Sequence, residues 1–174
     1  MSSSFSWNTK EWDKLLTRCV AMKGLAAKIG IQGEKAAEPH TDGEPLTNAE
    51  VAAVHEFSGP QDSPPGRPFI RPPYDNDPGK WKGEIAEACA NVIKGANPVA
   101  ELRRVGENYR TAITDRVKAG IGPPLSEATI NRRRGQNTQK KRDKLESKGK
   151  AMDTTPLIDT GTMIGAISVV VGKA

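Results

Sequence analysis

The spacing of apolar residues changes repeatedly along this chain, and each change marks a new element. Trp12, Leu15, Leu16, Cys19 and Val20 recur at helical intervals behind Asn8 and Glu11, a pair spaced for a capping box. An amphipathic helix is expected there, ending near Lys23 and Gly24. Leu25, Ala27, Ile29 and Ile31 then alternate with Ala26, Lys28, Gly30 and Gln32, the period of a strand with one packed face. Its glycine weakens it as a lone strand, so it needs a neighbour. Residues 33–46 lose all periodicity and read as a loop. Thr47 and Glu50 form a second capping box, opening a short helix through Val51, Val54 and Phe57.

Between Ser58 and Pro73 there are six prolines in sixteen residues, which excludes a helix and strips backbone donors from any central strand. Residues 58–73 therefore read as a stiff, extended arm. Phe69 and Ile70 would be its apolar anchors and Arg67 and Arg71 its charged edges, with the alternative that Phe69 caps the hydrophobic core. Asp77 and Pro78 suit the start of a helix that carries Trp81, Ile85, Ala88, Cys89 and Val92 on one face and closes at Gly95. Asn97 and Pro98 repeat the start signal, and Leu102, Val105, Tyr109, Ala112, Ile113 and Val117 trace a second long helix ending before Gly120. The short link makes the two antiparallel neighbours. Trp12 and Trp81 each open an apolar stripe and are expected to pack within the chain.

Leu125, Ser126 and Ile130 have the spacing of a hydrophobic staple around an N-cap, introducing a turn of helix. Residues 135–153 have no pattern and are expected to be a flexible, solvated loop. Asp159 or Thr160 can cap a last short helix through Met163, Ile164 and Ile167, and Ser168–Val171 has the β-branched content of a strand. The expected fold is α+β: a small, mostly antiparallel sheet packed against two long antiparallel helices, with the proline-rich arm and the basic loop as excursions from a single domain, 1–174. A length of 174 residues suits one core rather than two.

Charge refines this picture. The net charge is +5, yet residues 132–150 alone carry +7, leaving −2 for the rest. Arg132, Arg133, Arg134, Lys140, Lys141, Arg142 and Lys144 are therefore candidates for phosphate contacts of a salt-dependent, sequence-independent kind. No aromatic residue is interleaved to stack on bases. A solvated interaction loop and a contact with an acidic protein surface are the competing readings. No apolar run is long enough to span a bilayer, and MSSSFSWNTKEWDK lacks the order of a signal peptide, so neither a membrane nor a translocation route is expected. Cys19 and Cys89 lie far apart among apolar helical positions and are expected to be buried free thiols.

Catalytic chemistry finds little to build on. His40 sits in a polar loop and His55 beside Glu56, without the second histidine that would turn HEF into a zinc-protease signature. His55 reads as structural or interfacial. There is no phosphate loop ending in Lys-Ser or Lys-Thr, no nucleophile elbow and no chelating cysteine pair. A non-enzymatic protein without metal or cofactor is expected.

Several pieces carry a resemblance: AEVAAVHEF at Ala49–Phe57, GRPFIRPPYD at Gly66–Asp75, and later PLSEATINRRR and PLIDTGTMIGAI. In this order, across roughly residues 24–171, they resemble the virion-morphogenesis and tail-completion proteins of tailed bacteriophages. The resemblance implies a structural virion protein at the head-tail junction or tail, assembled in the host cytoplasm as a homo-oligomeric ring, a hexamer or dodecamer. Its implied partners are connector, adaptor or stopper proteins, and the tail terminator or tail tube, with possible non-specific contact to packaged DNA. Tail terminator and DNA-binding accessory protein are the alternatives. Carried over by position, the implied partner-binding residues are His55, Glu56, Phe57, Arg67, Phe69, Ile70 and Arg71, with Asp159 and Thr160 in the later turn. Ser58 stands where a glycine often follows HEF in that family.

Overall fold

A computed structural model of the chain describes residues 9–40, 45–130, 155–158 and 161–174. The fold is α+β, with a two-stranded sheet and several helices, some of them long. In chain order the elements are α1 (Thr9–Met22), β1 (Leu25–Ile31), α2 (Glu34–Ala37), α3 (Asn48–Phe57), α4 (Pro72–Asn76), α5 (Pro78–Lys94), α6 (Pro98–Ala119), α7 (Thr162–Gly165) and β2 (Ile167–Lys173). The strands are antiparallel: Ala174 N–H donates to the Gly24 carbonyl beyond one end, and the Gln32 side-chain amide reaches the Ser168 carbonyl at the other.

The chain divides into two compact units, each built from segments distant in sequence. The first comprises residues 1–29, 76–109 and 169–174. Its helices α5 and α6 are antiparallel, as Asn91 donates to Glu101 near one end of the pair and Asn108 to Glu84 near the other. Asp77 accepts from Lys80 N–H to cap α5, and Gly95 ends it at φ 115°, a left-handed turn that favours glycine. Asn97 Oδ1 accepts from the backbone N–H groups of Val99 and Ala100 at the start of α6. Trp81 is buried as expected and meets Tyr109 edge-on, with ring centroids 4.7 Å apart. Ala88, Val92 and Val105 complete the packed face. At Gly106, α6 approaches β2 so closely that an added Cβ would lie 2.5 Å from Val169 Cγ1.

Helix α1 departs from expectation. None of its residues is buried, and Trp12, Leu16 and Val20 are 52%, 46% and 67% exposed. Only one edge of the helix packs: Leu15, Arg18 and Met22 are half-buried, and Arg18 donates to the Ile93 carbonyl of α5. Trp12 is therefore not a core residue. Both cysteines are free, but Cys19 is exposed and Cys89 half-buried, because Cys19 shares the outward face of α1.

The second unit comprises residues 30–75 and 110–168. Phe69, Ile113, Val117, Ile121, Met163, Ala166 and Ile167 form its core, together with Ala52 of α3. Local differences from the expected elements are modest. The single helical turn α2 interrupts the expected loop 33–46, and α4 starts at Pro72, where proline suits a first helical turn. Ser126 caps a helical turn at 127–130 by accepting from Thr129 N–H, as its spacing suggested. Gly161, not a side-chain cap, precedes α7, and Ile167 begins β2 instead of ending the helix. Asp159, Thr160 and the basic segment with Arg132, Arg133, Arg134, Lys140, Lys141, Arg142 and Lys144 lie outside the described residues, as does Asn8.

Candidate partner-binding site

The candidate site is the turn from His55 to Arg71, and it begins with the helix that presents it. Thr47 Oγ1 accepts from Glu50 N–H, while the Glu50 carboxylate takes Thr47 N–H at 2.8 Å, closing the capping box. These bonds also hold the Glu50 carboxyl below its ordinary range, first through the Thr47 backbone and then through its hydroxyl. Asn48, fully buried at the first turn, bonds the Lys35 carbonyl at 3.0 Å and the His40 ring at 3.1 Å. This anchors the start of α3 to α2 and to the segment after it.

At the other end of α3, Glu56 folds back onto the proline-rich segment. Its Oε2 accepts from the N–H groups of Phe69 and Ile70 at 2.8 and 2.9 Å, and its Oε1 from Arg71 N–H at 3.0 Å. Three successive backbone donors converge on one carboxylate. Arg67 N–H reaches the His55 carbonyl at 2.8 Å and Gly66 N–H the Gly59 carbonyl at 2.9 Å. Gly59 N–H in turn donates to Asp62. The approach is tight enough that a Cβ on Gly66 would sit 1.8 Å from the Ser58 carbonyl oxygen. Prolines here do stiffen an extended run, but the run is strapped to its own helix.

That geometry corrects two expectations. Phe69 is fully buried in the core of its unit, so the reading in which Phe69 anchors a free arm fails and the core-capping alternative holds. Arg67 is only 5% exposed and is no rim charge. Its Nε and Nη2 donate to the Pro123 carbonyl at 3.0 and 2.9 Å, with Pro124 at 3.4 Å. A guanidinium offers several donors in a fixed plane, so one buried arginine can join residues 56 positions apart in sequence. Arg116 adds a bond from α6 to the Pro68 carbonyl at 3.2 Å. Ile70 is half-buried, whereas Arg71 faces solvent and pairs with Asp75 at 2.9 Å.

The three residues of HEF thus diverge. His55 faces inward: burial, Arg67 and then His40 push its pKa below the ordinary value. Its Nδ1 is buried without a hydrogen-bond partner. Glu56 straps the loop. Phe57 is 82% exposed, with Val54 one turn earlier at 37%. Of the described residues expected to bind a partner, Phe57 and Arg71 are the ones exposed to solvent, whereas Arg67 and Phe69 are buried. Asn48, Asp62 and Gly66 were missed by sequence reasoning, and only Gly66, inside GRP after two prolines, left a hint of a tight turn. Among the described residues, no group of three or more His, Cys, Asp or Glu side chains could hold a metal ion.

The chain was compared with family models, curated proteins and solved structures, and none of the three gave a match.

Proposed function

We propose that the chain is a structural subunit of a tailed-phage virion, joining or completing the head-tail region as part of a homo-oligomeric ring. One observation supports this reading above others: the described residues of the four sequence pieces that resemble the tail-completion proteins meet in one compact unit. Glu56 of the first piece holds the backbone of the second, and Arg67 of the second reaches the carbonyl of Pro124, which opens the third. Met163 of the fourth is buried in the same unit, where α7 packs against α3. Pieces that share a structural reason for occurring together carry more weight than short strings in order. In this reading Phe57, Val54 and Arg71 face the neighbouring subunit or connector, while Glu56, Arg67 and Phe69 keep that surface in shape. No described helix is long and apolar enough to cross a membrane.

The test is the mass of the purified chain in solution, alone and mixed with tail tube or connector. A ring-sized multiple of 18.7 kDa that forms with one of these partners is the expected result, lost on Phe57→Ser while the chain stays folded. A chain that joins none of them overturns the proposal. Retention on DNA at moderate salt, abolished by deleting residues 138–150, would instead favour the accessory DNA-binding reading.

A further inference from the structure

The outward face of α1 has no partner among the described residues. Trp12, Leu16, Cys19 and Val20 fall at i, i+4, i+7 and i+8, a continuous stripe, while the edge that packs on α5 is a different one. A solvent-facing helix normally turns polar residues outward, and α1 has them to spare in Lys10, Glu11, Lys14 and Thr17. The stripe is therefore a seam of the kind that accepts another helix.

Its ends say which helix fits. Asp13 flanks the stripe beside Trp12, and Lys23 stands in the turn just after Met22, the last helical residue, both exposed. The two charges are ten residues apart, about 15 Å along the axis, too far to meet within one copy. Reversed against a second α1, the same face matches itself: the Asp13 end of each copy lies on the Lys23 end of the other, with Leu16 and Cys19 between. A parallel pair would set like charges against like. We infer that α1 is a self-docking surface, pairing two copies of this chain antiparallel through Trp12, Leu16, Cys19 and Val20.

The contact is small. Fourteen residues give a seam about 21 Å long, well short of the roughly 800 Å² per partner of a stable interface. The pairing is weak and concentration-dependent unless another contact raises the local concentration of the chain. It is also isologous, so it pairs subunits instead of closing a cycle, and it stands whether or not the ring reading holds.

Sedimentation velocity over a dilution series tests it. The intact chain should pass from monomer to dimer as concentration rises, and Leu16→Lys, an exposed position, should remain monomeric with an unchanged circular dichroism spectrum. Asp13→Lys and Lys23→Asp should each weaken the dimer several-fold, and the double reversal should restore it, since only antiparallel copies place these residues together. A monomer at every concentration overturns the inference, as does a dimer indifferent to Leu16→Lys or a double reversal no better than the single ones. A chain that dimerises only after residues 1–8 are removed overturns it too, assigning the stripe to that segment. Leu16→Lys chains that lose the dimer yet still build a ring with the tail tube separate this contact from the proposed virion role.

Discussion

Glu56 shows how one side chain can settle a loop that has no ladder of its own. Its two oxygens serve three N–H groups, so an amide in its place turns part of the acceptor into a donor facing donors. Glu56→Gln is expected to cost about 1–3 kcal/mol in urea unfolding despite its near-identical shape. His55 makes the neighbouring case for charge. Its folded pKa is lowered, chiefly by burial and then by Arg67, so the unfolded chain binds the proton more readily. The stability this gives is complete above the unfolded histidine range and falls as pH drops through that range toward the lower folded value. Unfolding midpoints should therefore decline from neutral pH into mild acid, and His55→Phe should flatten that part of the slope. An unchanged slope in the variant would assign the acid sensitivity to another group.

Elements were most legible where the sequence states their ends. The Thr47–Glu50 box, the Asp77–Pro78 start, the Gly95 stop and the Ser126 cap each rest on bonds between residues a few positions apart, and all four are present. The amphipathic period of α1 was equally plain, yet a period shows only that a face is apolar. It does not say whether the cover comes from the same chain, which is why Trp12 was misplaced and Trp81 was not. The proline-rich segment failed for the opposite reason. Its stiffness was readable, but its strapping, to Glu56 and through Arg67 to Pro123 and Pro124, depends on partners 13 to 57 residues away that no local spacing reveals. Between α6 and β2 the hidden constraint is steric. In an open helix, glycine to alanine gains about 1 kcal/mol, but at position 106 the new methyl meets Val169, whose branched side chain has little freedom to swing away. Gly106→Ala should lower stability by roughly 1–3 kcal/mol, and Val169→Ala should relieve much of the penalty in the double variant.

For the molecule as a whole, the two units are not consecutive stretches of chain. Helix α6 gives residues 98–109 to one and 110–119 to the other, and both strands are divided in the same way. Neither unit can be cut out without breaking a helix and both strands, so a single cooperative transition is expected. Gly66→Ala in the second unit and Gly106→Ala in the first should each move that one transition in calorimetry. Two transitions displaced separately would show that the units melt independently. The strap at Glu56 has a further consequence at this scale. Residues 60–64 are exposed, while the chain on one side of them continues from α3 and on the other is fastened to it by Glu56, Arg67 and the Gly66–Gly59 bond. A protease that nicks this bulge severs the polypeptide without releasing either piece: the cut protein should migrate as one species in a native gel and fall into two fragments only when denatured.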